Sequence, residues 1–356
     1  MASFSRALLP LCACFRGEIP PRADWTALIA LANHTLTTPS LIAFVRSHRA
    51  AIPEEVAAYA KELHDRNAIR NDRLSAQLEE AVLALNGVGI TPLLIKGAAM
   101  LATGRQSDRA LRLMSDLDLI VRPDQVHTAM TTLAAIGYSI DYETDGRHKK
   151  WYADLKRPLD VGMIDLHNEL PGHSFLDQTP DGLRSQLRMI RLGAANALVP
   201  SPELQALVLV MHDQFQDYGY WTGSIDLRHL LDLRALNAAP GGIRWDVLMT
   251  MVSGTLVRNA VETQLLLLTT LFDVKWPAHH PKRPVPRLQV WRQLLQARFP
   301  RTRYPLLPMA LLDLGSHHRA TAGSQAPGER KRRWFPKLST LRLLMSLSRR
   351  YPTGKI

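Results

Sequence analysis

Residues 113–123 read LMSDLDLIVRP, and the fold turns on how this run is read. Successive side chains of a strand point to opposite faces, so Asp116 and Asp118 project together while Leu117, Leu119 and Val121 face a core. Apolar residues on both sides mark a buried strand, where two unpaired carboxylates are costly. A divalent cation between their oxygens removes that cost, and Mg²⁺ suits hard carboxylate donors together with phosphate oxygens.

Upstream, Thr91–Ile95 (TPLLI) is a short apolar run ending at Lys96 and Gly97, after which Ala98 to Ala102 favour a helix. The free amides at that helix start can receive phosphate oxygens, with Gly97 letting the backbone approach and Lys96 adding a cation. Arg109 and Arg112 precede the acidic strand, and Arg112, which borders it, is the better phosphate clamp. Ser115 adjoins Asp116 and is grouped with Lys96, Gly97 and Arg112 on the nucleotide-binding side.

Downstream, Arg122 and Pro123 close the strand, and Pro123 suits the first turn of a helix reaching Ile136, with Gly137 as its stop. Extended stretches follow at Tyr138–Tyr142, Lys149–Leu155 and Val161–Leu166, separated by the turn-rich TDGR and KRPLD segments. They are expected to complete one mixed sheet. The last, in VGMIDLHNEL, offers Asp165 as a third carboxylate from a neighbouring strand. Asp160 and Glu169 stand close by, and a register error of one residue would reverse the facing. His167 shares the expected face of Asp165, where it either touches a substrate, orients a carboxylate or serves structure alone. Three carboxylates can hold two ions, one activating an attacking hydroxyl and the other steadying a triphosphate and the departing pyrophosphate.

The rest of the chain reads as helical. Leu63, Leu74, Leu78, Val82 and Leu85 fall at near-helical spacing before Asn86 and Gly87. From Ser201 the pattern turns helical again, through Leu204, Leu207, Val208, Met211 and Phe215, then about 225–236 and 245–272. In this half His212 with Asp213, and Asp226 with Arg228 and Asp232, either line the nucleotide cleft or form helix-surface ion pairs.

The chain has 356 residues, is 46% hydrophobic and 21% charged, and carries a formal charge of +12. From Arg319 onward ten Lys/Arg meet one acid, Glu329, so the tail holds +9 of that charge and the body is nearly neutral. A near-neutral body argues against a long nucleic-acid groove but not against a small acceptor or an RNA end. The tail itself, with Leu338, Leu341, Leu344, Met345 and Leu347 in a basic amphipathic stretch behind a TAGSQAPGE linker, suits anionic lipid, RNA, a protein groove or simple packing on the body. Cys12 and Cys14 are too close in sequence for a structural disulfide, which fits a reducing cytoplasm. No apolar run approaches the roughly 20 residues of a membrane span.

With these residues in place the sequence resembles a bacterial family labelled uncharacterised nucleotidyltransferase, within the DNA polymerase β-like nucleotidyltransferase superfamily. The matching pieces are LLIKGAAML (93–101), ALRLMSDLDLIVRP (110–123), GYS (137–139) and IDLHNEL (164–170). Weaker matches are DWTALIALANH (24–34), MHDQF (211–215) and DLRHLLDLRAL (226–236). The resemblance implies an α+β nucleotidyltransferase fold, a small mixed sheet with helices, flanked in sequence by N-terminal helices and a C-terminal helical domain. It implies Asp116, Asp118 and Asp165 as catalytic metal ligands for two Mg²⁺ ions, and an NTP, with ATP first, as co-substrate. It departs from the superfamily at large in one place: the usual glycine-serine pair is here Gly97 and Ala98, with Lys96 in the neighbouring position.

The expectation is thus a cytoplasmic, magnesium-dependent enzyme moving an NMP to a hydroxyl or phosphate of a small molecule, peptide or RNA end. The alternatives are a catalytically silent nucleotide-binding or interaction module, and a toxin-like enzyme acting on tRNA ends. The expected organisation is an N-terminal helical region (1–86), a catalytic core (87–200), a helical domain (201–318) and a basic tail (319–356).

Overall fold

The structure, a computed structural model, describes residues 4–144, 151–171, 180–313 and 354–356. The chain divides into two units, one made of Ala58–Pro171 and Gln178–Val208, the other of Met1–Ala57, Gly172–Asp177 and Leu209–Ile356.

The first unit is built on a seven-stranded sheet. Its strands are β1 (Leu93–Leu94), β2 (Asp116–Ile120), β3 (Ser139–Glu143), β4 (Tyr152–Lys156), β5 (Met163–His167), β6 (Leu187–Leu192) and β7 (Ala195–Pro200). They lie in the order β3-β4-β5-β2-β1-β7-β6. β2 runs parallel to β5 and β1 parallel to β7, and the other pairs are antiparallel, so the sheet is mixed as expected. Leu117, Leu119, Ala153, Leu155, Ile164 and Leu166 are almost wholly buried in one core with Leu74, Leu78, Val82 and Leu85 of the helix Glu54–Gly87 and with Ala129 and Leu133 of the helix Val126–Ala135. One sheet face is therefore apolar, and period-two alternation sends the acids of β2, β4 and β5 to the other.

The helix expected from Pro123 begins as a 3₁₀ turn at Pro123–Gln125 and becomes α-helical at Val126, and Gly137 stops it at φ +96°. The hairpin β6–β7, turning at Gly193 and Ala194, has no counterpart in the sequence reading. Its strand β6 is exposed along much of its length, which blurs the alternation that marks a strand.

The second unit is helical. It contains Phe4–Arg16, Trp25–His34 and Ile42–Ser47 from the start of the chain, with Leu227–Ala238, Trp245–Thr250, Gly254–Phe272 and Pro284–Arg298 from the second half. The run expected at 245–272 is two helices: the first stops at Thr250, residues 251–253 leave the helix, and the second starts at Gly254, whose φ of +78° is left-handed backbone at that restart. Cys12 and Cys14 are free, with burial pushing both thiols up to about 12.

The last three residues belong to this unit. Ile356 exchanges backbone hydrogen bonds with Ile225 at 2.8 and 3.0 Å. Beside it the Lys355 ammonium sits 2.7 Å from Asp213 Oδ1 and 3.3 Å from Asp217 Oδ2. Burial opposes the charge on Asp213, yet Lys355 and His229 outweigh it and hold the carboxyl well below the usual range. Asp226 caps the helix Leu227–Ala238 by accepting from the His229 amide at 3.0 Å. The TAGSQAPGE linker, the basic amphipathic stretch 336–350 and most of the TDGR turn lie outside the described residues. Among the described residues no helix is long and apolar enough to cross a membrane.

Candidate active site

The site is positioned from the helix Glu54–Gly87. Its buried stripe, which continues C-terminally as Leu74, Leu78, Val82 and Leu85, carries amides at Asn67 and Asn71, in the same helical phase. The Asn67 side chain donates to the carbonyls of Ala110 (2.7 Å) and Arg112 (3.0 Å), and that of Asn71 to those of Arg109 (2.6 Å) and Arg112 (2.8 Å). Arg70 holds Met114 and Gln77 holds Gly162 in the same way. The loops feeding β2 and β5 are thus fastened by side chains to one helix, because a loop cannot satisfy its own buried carbonyls. These amides were not singled out in the sequence. Their signal was polar residues continuing a leucine stripe.

β2 and β5 pair in parallel with Asp118 opposite Asp165, and Asp116 opposite Met163. Asp116, Asp118 and Asp165 accordingly share the face away from the core. Asp160, the nearby alternative, is engaged elsewhere, accepting from the Tyr138 hydroxyl at 2.9 Å and pairing with Arg157 at 3.0 Å.

Asp118 is nearly fully buried and lies 2.6 Å from the Lys96 ammonium, itself 7% exposed. Burial opposes the Asp118 charge, but Lys96 and then His167 outweigh it and hold the carboxyl well below the usual range. Burial likewise disfavours the Lys96 cation, and Asp118 more than restores it. For Asp116 the balance runs the other way, since burial and then Asp118 push it up against the pull of Lys96 and Arg112. His167 Nε2 lies 3.1 Å from Asp165 Oδ2 and 3.5 Å from Asp118 Oδ1. Ser115 donates its hydroxyl to Asp116 at 3.3 Å.

Lys96 opens the helix Lys96–Thr103 with φ +48°, a left-handed conformation that costs a non-glycine residue about 1–2 kcal/mol. The Lys96 carbonyl accepts from the buried Gln205 at 2.8 Å, which fixes the turn. At Gly97 an added Cβ would stand 2.6 Å from Arg112 Nη1, so the guanidinium lies directly over that glycine. The structure thus brings Gly97 and Arg112 together, whereas Arg109 is fastened through its carbonyl.

A fourth carboxylate joins the row. β4 places Asp154 opposite Asp165, so Asp118, Asp165 and Asp154 stand side by side on three adjacent strands. Burial, then the charge and hydrogen bond of Asp165, push Asp154 up to about 6. The stretch Trp151 to Leu155 was legible as a strand, and its alternation, with Ala153 and Leu155 inward, was the unused signal for Asp154.

The donor set fits a divalent cation. Ligand atoms of Asp118, Asp165 and His167 lie within 4.8 Å of one another. Asp165 Oδ1 is buried without a hydrogen-bond partner among the described residues, a state that favours a ligand. These are hard oxygens plus one imidazole, the donor types that take such ions.

A mixed sheet with acids gathered on one face and a glycine turn opening a helix beside them is the architecture of a nucleotidyltransferase, a transferase enzyme. The chain belongs to the family described as uncharacterised nucleotidyltransferase, which it matches over residues 21–273. No curated protein matches it. Among solved structures it is similar to the lincosamide antibiotic adenylyltransferase LnuA in its lincomycin-bound form, at 17% identity over 35% of this chain and 77% of that one, TM-score 0.25. It is similar to an antigenic nucleotidyltransferase-like protein from Paracoccidioides brasiliensis, at 18% identity over 56% and 92%, TM-score 0.33. It is also similar to the antibiotic-resistance factor ANT(2'')-Ia, at 13% identity over 68% and 96%, TM-score 0.28. TM-scores this low bear on neither substrate nor mechanism.

Proposed function

We propose that the protein transfers an NMP, with AMP from ATP as the first candidate, to a hydroxyl or phosphate oxygen of an acceptor, and that Asp116, Asp118 and Asp165 hold the Mg²⁺ ions this requires. The observation that carries the reading is the strand register that sets Asp118 opposite Asp165 with Asp116 two residues away on the same face. The bound ions would supply charge neutralisation at the phosphates and a more acidic attacking hydroxyl. The acceptor oxygen bonds to the α-phosphorus, the bond to the bridging oxygen breaks, and pyrophosphate leaves with the electron pair while the hydroxyl proton passes to solvent.

The chain's own residues prepare this. Lys96 keeps Asp118 ionised in a buried position and its cation stands beside the phosphate path. Gly97, lacking a side chain, lets the Arg112 guanidinium lie close over the buried start of the helix, and Arg112 offers a fork for phosphate oxygens there. His167 orients Asp165 and Asp118, and Ser115 orients Asp116.

The test is transfer of label from α-³²P-labelled NTPs, with Mg²⁺, to small-molecule, peptide and RNA pools. Asp116→Ala and Asp118→Ala are each expected to lower transfer at least 1000-fold. Equal transfer by the variants, or NTP binding without turnover by the wild type, would sink the reading.

A further inference from the structure

The order of the strands separates two sides of the carboxylate row. On one side of β2 lies β1, which runs directly into the Lys96–Gly97 turn with Arg112 above it. On the other side lie β5, β4 and the edge strand β3. In an in-line displacement the attacking oxygen approaches the phosphorus opposite the departing pyrophosphate. With the polyphosphate on the β1 side, the acceptor must come from the β4 side.

What waits there is a ledge. Tyr142 pairs with Asp154 across β3 and β4, and Tyr152 pairs with His167 across β4 and β5, so all four share the face of Asp165. The Tyr142 and Tyr152 rings lie 5.6 Å apart, and Tyr152 lies 5.9 Å from His167. Tyr142 is 49% exposed on that edge. Asp154 is half-buried and makes no ion pair with a lysine or arginine among the described residues. Metal ions held by Asp116, Asp118 and Asp165 would offset those three carboxylates and leave Asp154 without a cation.

We infer that Tyr142, Tyr152 and Asp154 form the acceptor platform, with Asp154 accepting a hydrogen bond from the acceptor, and that the acceptor is a small cationic hydroxyl compound rather than a nucleic-acid end. Aromatic faces attract cations, and a carboxylate at hydrogen-bond reach strengthens that preference. A polyanion would meet the Asp154 carboxylate with like charge. The inference rests on the nucleotidyltransfer reading above and assigns its acceptor class.

The experiment uses the full chain with α-³²P-ATP and Mg²⁺. It offers three pools: total tRNA, and the low-molecular-weight fraction of a cell extract split into cation-exchanger-retained and flow-through parts. Label is expected in the retained pool. Asp154→Asn is expected to raise the apparent KM for that pool at least tenfold while the ATP Kd, measured by calorimetry, changes less than twofold. Tyr142→Ala, at an exposed position, is expected to raise the same KM without shifting the melting temperature. A merely structural role for either residue would not separate acceptor KM from ATP affinity. Label in tRNA or flow-through only, or transfer by Asp154→Asn equal to wild type, would overturn the platform and leave nucleotidyltransfer standing. Transfer by the wild type to no pool would overturn both.

Discussion

The Lys96 ammonium lies 2.6 Å from Asp118 Oδ1, and both groups are almost completely buried. A buried pair of this kind contributes little net stability against two apolar residues, but removing one partner strands the other charge at about 3–5 kcal/mol. Lys96→Met is therefore expected to lower stability by about that amount in chelator. If the carboxylates take a divalent cation, millimolar Mn²⁺ restores much of it, since the ion replaces the missing charge. Denaturant melts with and without Mn²⁺ check this, and an equal loss in both conditions would count against metal binding at Asp118.

Asp154 gives a pH signature. Its carboxyl stands at about 6 in the folded chain against 3.8 as an ordinary aspartate, so between these values the folded state holds a proton that the unfolded state has lost. Stability then falls as pH rises from about 4 through 6. Asp154→Asn removes that dependence, so its gain over wild type is expected to be absent near pH 4 and largest above pH 6. Partial exposure screens the effect, and the direction is the prediction. Urea unfolding of both proteins in metal-free buffer from pH 4 to 8 measures it. A gain that does not grow with pH would refute the assignment.

Gly97→Ala puts a methyl 2.6 Å from the end of the Arg112 side chain, with no backbone in the way. The guanidinium can swing aside, so melting is expected to change little. Displacing one charge-assisted phosphate contact is expected to weaken NTP binding about tenfold. Calorimetry decides, and unchanged affinity would remove Arg112 from the phosphate clamp.

Asn71→Leu keeps the branched shape but takes the side-chain donor from the Arg109 carbonyl, while the Arg112 carbonyl keeps Asn67. An unmet buried carbonyl costs about 1–3 kcal/mol. Activity is expected to fall together with stability, because the loop being loosened leads straight into β2. Wild-type activity in a destabilised Asn71→Leu protein would separate the loop from the site.

Lys355→Met is expected to destabilise the helical unit by about 3–5 kcal/mol, because the buried Asp213 loses its ammonium. Adding Asp213→Asn should recover part of that loss, and deleting residues 354–356 should resemble the single variant. A thermal-melt double-mutant cycle reads the coupling, and additive effects would contradict the contact.

Much of the sheet unit was readable in the chain. The alternation in LMSDLDLIV predicts a strand with both aspartates on one face, and VGMIDLHNEL predicts its partner, because period-two patterning is written locally. The amphipathic stripes of the long helix and of the helix beginning at Pro202 are local in the same sense. Local breaks were harder, as between Thr250 and Gly254, where one glycine in a long apolar run is tolerated in many helices and the sequence carries no other mark of the interruption. The hairpin β6–β7 escaped because an exposed strand carries little hydrophobic alternation.

What the sequence determined by itself was the chemistry on offer: three spaced acids, a lysine-glycine turn, and arginines ahead of the strand. Only the tertiary structure decided which of them meet. Register set Asp165 opposite Asp118 and brought Asp154 into the same row; a turn in left-handed backbone delivered Lys96 to Asp118; and the chain's last residues reached Asp213 across 142 positions of sequence. Pairings of that kind depend on how strands align and chains close in space, and a pattern that repeats every two or four residues carries no record of a partner dozens of positions away.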